Sequence, residues 1–232
     1  MTSTPSAGPN RLITLYQSSI GKKLITGISG IALVTFVIIH MMGNLILLVS
    51  VDGYNQYGHY LEQFGPGLWL IELILLGFIV FHILMGVQIF LRRLRARPQG
   101  YTTYASAGTP SYQTLSSRTM IVTGVILGSF LVWHLLTFKF GMRYLVPGSD
   151  VRDLARLVFE KFHQPLYAFG YTGVMVMLAS HLRHGIWSAF QSLGVLNAAV
   201  RPVMYTLSVI LAIGIALGFV VLPLGIYFGL VG

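Results

Sequence analysis

Five apolar runs dominate this chain and restrict what it can fold into. They cover residues 24–51, 68–91, 119–140, 165–190 and 203–230. Each exceeds the ~20 apolar residues that a helix needs to cross a bilayer. Backbone amides inside hydrocarbon must be satisfied within the segment, so runs of this length imply helices. Charge agrees: only 9% of the 232 residues are Asp, Glu, Lys or Arg, against about 25% in soluble domains. So few charges could not cover a globular surface. The expected fold is an all-α membrane protein with five transmembrane helices. Residues 1–23 form an N-terminal segment, and residues 24–232 a single five-helix domain. The first run follows a polar segment without a small-residue cleavage site and is too long for a signal-peptide core, so it reads as a retained helix.

The chain has no cysteine, which excludes an iron–sulfur cluster or a zinc–thiolate site on its own residues. Its formal charge of +9 does not point to nucleic acid, because the basic residues sit in short clusters between apolar runs. Lys22, Lys23, Arg92, Arg93, Arg95, Arg97, Arg118 and Arg201 all fall at one end of the runs. Asp52, Glu62, Asp150, Asp153 and Glu160 fall at the other, with Glu72 near that end. The positive-inside rule makes the basic end cytoplasmic, with the N-terminus inside and the C-terminus outside. Lys139, Arg143, Arg152, Arg156 and Lys161 lie on the outer side, so the bias is not absolute.

Residues 149–163 carry Leu154, Leu157, Val158 and Phe162 at helical spacing, with Arg152, Asp153, Arg156 and Glu160 on the other face. Ser149 and Asp150 are the expected N-caps. The pattern suits a short helix lying on the membrane surface and equally one packed on the bundle.

Four of the seven histidines lie inside apolar runs, one on each of the first four: His40, His82, His134 and His181. A single intramembrane histidine is more often a hydrogen-bonded packing residue than a ligand. Four, one per helix, call for a common cause, and polar groups at this depth are costly. At 1.5 Å per residue, His40 lies ~25 Å from Lys23 and His134 ~24 Å from Arg118, in the outer half. His82 lies ~15 Å from Arg92, and His181 ~24 Å from Pro165 on an inward run, both in the inner half. Two pairs at two depths suit two six-coordinate b-type haems, each held by two imidazoles from facing helices.

Flanking residues repeat with the histidines. Gly30, Leu33, Phe36 and His40 recur at the same offsets as Gly124, Leu127, Phe130 and His134. His82 and His181 are each followed four residues later by glycine, Gly86 and Gly185. A glycine one turn from a ligand leaves room for a flat macrocycle, although membrane glycines more commonly serve close helix packing. His184 competes with His181, which alone matches the spacing to glycine. His59 and His163 fall in outer loops.

The stretches Phe36-Val-Ile-Ile-His40-Met-Met-Gly-Asn44, Phe81-His82-Ile-Leu-Met-Gly86, Ser117-Arg-Thr-Met120 leading to His134-Leu-Leu-Thr-Phe138, and His181-Leu-Arg-His-Gly-Ile-Trp-Ser-Ala-Phe-Gln-Ser-Leu-Gly194 are similar to the single-chain cytochrome b of succinate dehydrogenase and fumarate reductase complexes. The resemblance covers residues 18–194, and the fifth run matches only in hydrophobicity. It implies five helices, of which the first four form a di-haem bundle, in the cytoplasmic membrane of a prokaryote. His82 and His181 would ligate the inner haem, and His40 and His134 the outer one. It also implies a flavoprotein with FAD and an iron–sulfur subunit with its clusters on the cytoplasmic face. Electrons would pass between succinate or fumarate chemistry on the flavoprotein and membrane quinone, commonly menaquinone. Some family members carry a glutamate, linked to transmembrane proton movement, where this chain has Ala179.

Glu62 and Glu72 are candidate quinone-site groups at the outer end. Arg183, His184 and Gln191 are candidates at the inner end, where they could equally meet haem propionates or the partner subunit. The basic loop 92–118, with Tyr101, Tyr104 and Tyr112, is the expected docking surface for the iron–sulfur subunit. Two rivals remain: the di-haem cytochrome b of a formate dehydrogenase, hydrogenase or nitrate reductase, and a transporter relaying protons through histidines. The second is disfavoured because no acid lies in the middle of a run.

Overall fold

The computed structural model describes residues 14, 16, 18–96 and 115–231, and among them the regular elements are all helices, beside an isolated bridge between Leu145 and Arg152. The helices are α1 (Ser19–Leu45), α2 (Val51–Glu62), α3 (Pro66–Ala96), α4 (Leu115–Arg118), α5 (Met120–His134), α6 (Leu154–Phe162), α7 (Pro165–Ser192) and α8 (Val200–Tyr227). A 3-10 turn, Ile46–Leu48, extends α1, and a π turn, Leu135–Lys139, extends α5. Four of these units are long and apolar enough to cross a membrane: Ser19–Leu48, Pro66–Ala96, Met120–Lys139 and Val200–Tyr227. Their outward side chains are large, apolar and exposed, among them Ile74 on α3, Val125 on α5 and Ile210 on α8. Such a surface suits hydrocarbon and integrates the chain in a membrane. The helix α7 matches the others in length, with 28 residues, but is less apolar. His181, Arg183, His184 and Gln191 crowd its second half.

Local chemistry explains where the helices begin and end. Ser18 caps α1, its side chain accepting from Gly21 N, and Ser50 caps α2 in the same way through Gly53 N. Pro165 opens α7 at a first-turn position, where a missing N–H costs nothing. Gly194 ends α7 at φ +74°, a left-handed conformation open to glycine, and Val195 N donates back to Phe190 O at 3.2 Å in the manner of a Schellman closure.

The helices α1, α3, α5 and α7 form a closed ring in which each packs against the next. The diagonal pairs, α1 with α5 and α3 with α7, face each other across the centre. The helix α8 lies outside the ring against α7 and α1, joined by the buried cluster Leu182, Ile186, Ala212 and Ile215. Lys22, Arg92, Arg118 and Arg201 mark one end of the ring, here the basic end. The other is the capped end, closed by α2 and α6.

Several expectations need correction at the capped end. The first apolar run does not continue to Val51. It breaks after Leu48, and Ser50 starts α2, a helix the apolar pattern did not separate. The helix α6 starts at Leu154 with Asp153 as its cap rather than Ser149 or Asp150, because Asp153 accepts from Arg156 N at 3.0 Å. Of the two placements considered for α6, packing on the bundle is the one found: Ala155, Leu157, Val158 and Phe162 are buried, against α2, α7 and α8. Asn55 fastens α2 to α6, donating to Asp153 Oδ1 at 3.0 Å and accepting from Ala155 N at 2.9 Å.

Candidate functional site

The ring brings the four histidines together as two diagonal pairs. His40 on α1 faces His134 on α5, with ring centroids 5.7 Å apart and planes at 90°. His82 on α3 faces His181 on α7 at 6.3 Å and 61°. His181, not His184, is the ring opposite His82. The two pairs stand at different levels: His82 lies beside Gly30, ten residues or ~15 Å along α1 from His40.

The spacing can be compared with what a shared metal requires. Two imidazoles on opposite sides of one iron, at a metal–nitrogen distance of about 2.0–2.1 Å, have ring centroids about 6 Å apart. Both pairs are close to that value. Ordinary aromatic packing also covers 4.5–7 Å, so spacing alone does not decide. The donor set adds to it. Among the described residues, no cluster of three or more His, Cys, Asp or Glu side chains is arranged to hold a metal ion. A metal at either pair would need its remaining ligands from a non-protein group, as a tetrapyrrole supplies them. At the capped end, His134 Nδ1 is buried without a hydrogen-bond partner, so no protein polar group there competes for this ring. The residues therefore fit haem.

The phenylalanines and glycines of the repeated motif each contact a histidine. Phe36 stacks on His40 one turn away, at 5.5 Å and 20°, and Phe130 lies 5.8 Å from His134 at 32°. Gly30 and Gly124 serve the other level. A Cβ on Gly30 would stand 3.3 Å from His82 Cε1, and one on Gly124 3.6 Å from His181 Cε1. Each glycine thus clears the histidine on the neighbouring helix. Gly86 and Gly185 open onto free space, as a flat group requires, but Gly77, Gly128 and Gly173 do too, so their openness is permissive rather than diagnostic.

Three features escaped the sequence. Ser29 Oγ lies 3.3 Å from His82 Nδ1, and Thr123 Oγ1 3.0 Å from His181 Nδ1. These residues directly precede the repeated glycines, so carrying the Gly30/Gly124 register back one position would have found them. Phe219 of α8 packs on His40 at 6.0 Å, which gives the fifth apolar helix a part in the capped-end pair without a ligand. The π turn after His134 widens the helix where Phe138 packs on that histidine at 5.4 Å. Wide turns of this kind are frequent at functional sites.

Three of the five candidate quinone groups are engaged with other side chains. Glu72 pairs with Lys139, and Glu62 with Arg143 at 2.9 Å. Arg183 donates to Tyr205. In the expected docking loop, residues 97–114 lie outside the described residues, while Arg92, Arg93 and Arg95 extend from the basic end of α3.

The fold and site define a class: an all-helical, membrane-integrated protein with two diagonal pairs of imidazoles inside a four-helix ring. The chain matches no protein-family model, no curated protein and no solved structure.

Proposed function

We propose that this chain is the membrane-anchor cytochrome b subunit of a succinate:quinone oxidoreductase. It would hold two b haems and carry electrons between an iron–sulfur partner and membrane quinone, commonly menaquinone. Two diagonal imidazole pairs, each spaced for one shared iron, carry this reading. The resemblance of residues 181–194 to this family's cytochrome b selects it over the other di-haem dehydrogenases. In this reading α7 is a fifth membrane span whose His181 faces into the site. The basic end faces the cytoplasm of a prokaryote, with the C-terminus outside. The enzymatic chemistry on succinate or fumarate belongs to the partner flavoprotein.

Haem, when bound, supplies reversible one-electron chemistry at a potential tuned by its ligands and surroundings. The chain's own residues do the rest. His40 and His134 hold the capped-end group, and His82 and His181 the basic-end group. Phe36, Phe130 and Phe219 wall the capped-end pair and keep water from it. Arg92, Arg93, Arg95 and Arg118 present positive charge where an iron–sulfur subunit would dock.

Purification from the native membrane tests the function directly. The expected result is a complex containing b haem, a cluster-bearing subunit and a flavoprotein with covalently bound FAD. Co-purification with a molybdenum or nickel enzyme, or with no soluble subunit, would overturn the assignment.

A further inference from the structure

Ser29 and Thr123 are among the few buried polar side chains, at 3% and 2% exposure. Each stands eleven residues before a histidine of the repeat, and each touches the histidine of the helix next to it in the ring. Each hydroxyl has helix-backbone acceptors within reach of its proton. Ser29 Oγ donates to Ile25 O at 2.8 Å, and Thr123 Oγ1 lies 3.1 Å from Met120 O and 3.2 Å from Thr119 O. A hydroxyl has a single proton and two lone pairs. With the proton held by the helix backbone, the oxygen faces the imidazole as an acceptor, so the imidazole donates. His82 Nδ1 lies 3.3 Å from Ser29 Oγ, with the Thr26 backbone as a second hydrogen-bond partner, and His181 Nδ1 lies 3.0 Å from Thr123 Oγ1. An imidazole that donates through Nδ1–H is held in the tautomer whose Nε2 carries the lone pair, the form a metal ligand needs.

We infer that Ser29 and Thr123 are positioning residues: they fix the tautomer and ring orientation of His82 and His181 as axial ligands and lower the reduction potential of the haem these hold. The inference rests on the proposed haem ligation. An acceptor at Nδ1–H pushes electron density onto the ring and makes it a stronger donor, which favours ferric over ferrous iron. At the capped end, His134 Nδ1 has no such partner. The two hydroxyls fall one in each half of the repeat and both serve the basic-end pair.

The test is a potentiometric titration of the purified complex followed by optical and low-spin EPR spectra. The variants are Ser29→Ala and the near-isosteric Thr123→Val, either of which is sufficient alone. The conservative variants are Ser29→Thr and Thr123→Ser, and the control is Thr35→Val, whose hydroxyl donates only to Ile31 O. Ser29→Ala and Thr123→Val should raise the midpoint of one b component and move its EPR signal, leaving the other component in place. The conservative and control variants should keep both wild-type midpoints. Haem-loaded Ser29→Ala and Thr123→Val proteins with unmoved midpoints would overturn the inference alone. Equal movement of both components, or movement in Thr35→Val, would overturn it too, by indicating general loosening. A wild-type protein without haem would overturn the underlying ligation reading instead.

Discussion

Gly30 lies directly against His82: a Cβ on this glycine would stand 3.3 Å from Cε1 of the imidazole. Gly124 and His181 repeat the relationship at 3.6 Å. The first distance is tighter than ordinary contact and the second is ordinary, so the two glycines should respond differently. Gly30→Ala should displace the His82 ring by a few tenths of an ångström and alter the low-spin EPR signal of one haem component. Gly124→Ala should leave both components close to wild type. EPR of the two variants at matched haem loading checks the difference.

Diagonal pairing predicts which histidine losses resemble each other. His40→Ala should disturb the same redox component as His134→Ala, and His82→Ala the same one as His181→Ala. A redox titration of the four variants, in complexes that still assemble, reads this directly. Loss of the same component from His40→Ala and His82→Ala would contradict the pairing.

Asn55 is 4% exposed and bonds both Asp153 Oδ1 and Ala155 N. Asn55→Ala would leave the Ala155 amide without its partner and Asp153 Oδ1 with only the Arg156 amide. Unmade buried hydrogen bonds cost ~1–3 kcal/mol each. The variant should unfold at lower temperature in detergent while its reduced-minus-oxidised haem spectrum is retained, because Asn55 touches neither histidine pair.

Tyr54, outside the spans, predicts an alkaline weakness. Its hydroxyl is pushed up to about 12 from the ordinary 10.0, chiefly by burial, with the nearby Arg152 guanidinium acting in the opposite direction. A raised folded-state value means that the stabilising contribution is complete below about pH 10 and is lost as pH climbs towards 12. The difference amounts to at most about 3 kcal/mol. Tyr54→Phe should therefore lose less thermal stability than wild type when the pH is raised through this window. Melting curves of the two proteins on both sides of about pH 10 provide the comparison.

Much of the fold was legible because hydrocarbon permits few backbone solutions. The helix starts at Pro165 and the pairing of depths follow from spacing alone. The helix α2 was not legible, because Val51 and Leu48 read as one continuous apolar run and only the Ser50 cap divides them. Asp153 displaced Ser149 and Asp150 as the cap of α6 through a tertiary bond to Asn55, ninety-eight positions away, which no local pattern encodes. At the site, the histidines and Phe36 and Phe130 declared themselves through repetition. Ser29 and Thr123 differ in residue type, so a search for identical residues passes over them although their hydroxyls are equivalent. Phe219 has no counterpart in the repeat, and only the packing of α8 against α1 brings it to His40.

The central claim is that two imidazole pairs hold two haems, and pyridine haemochrome assay against protein mass measures it most directly. The expected result is two b haems per chain in the purified complex, both low-spin. One haem per chain would mean that one diagonal pair is only packing, and none would contradict the haem reading altogether.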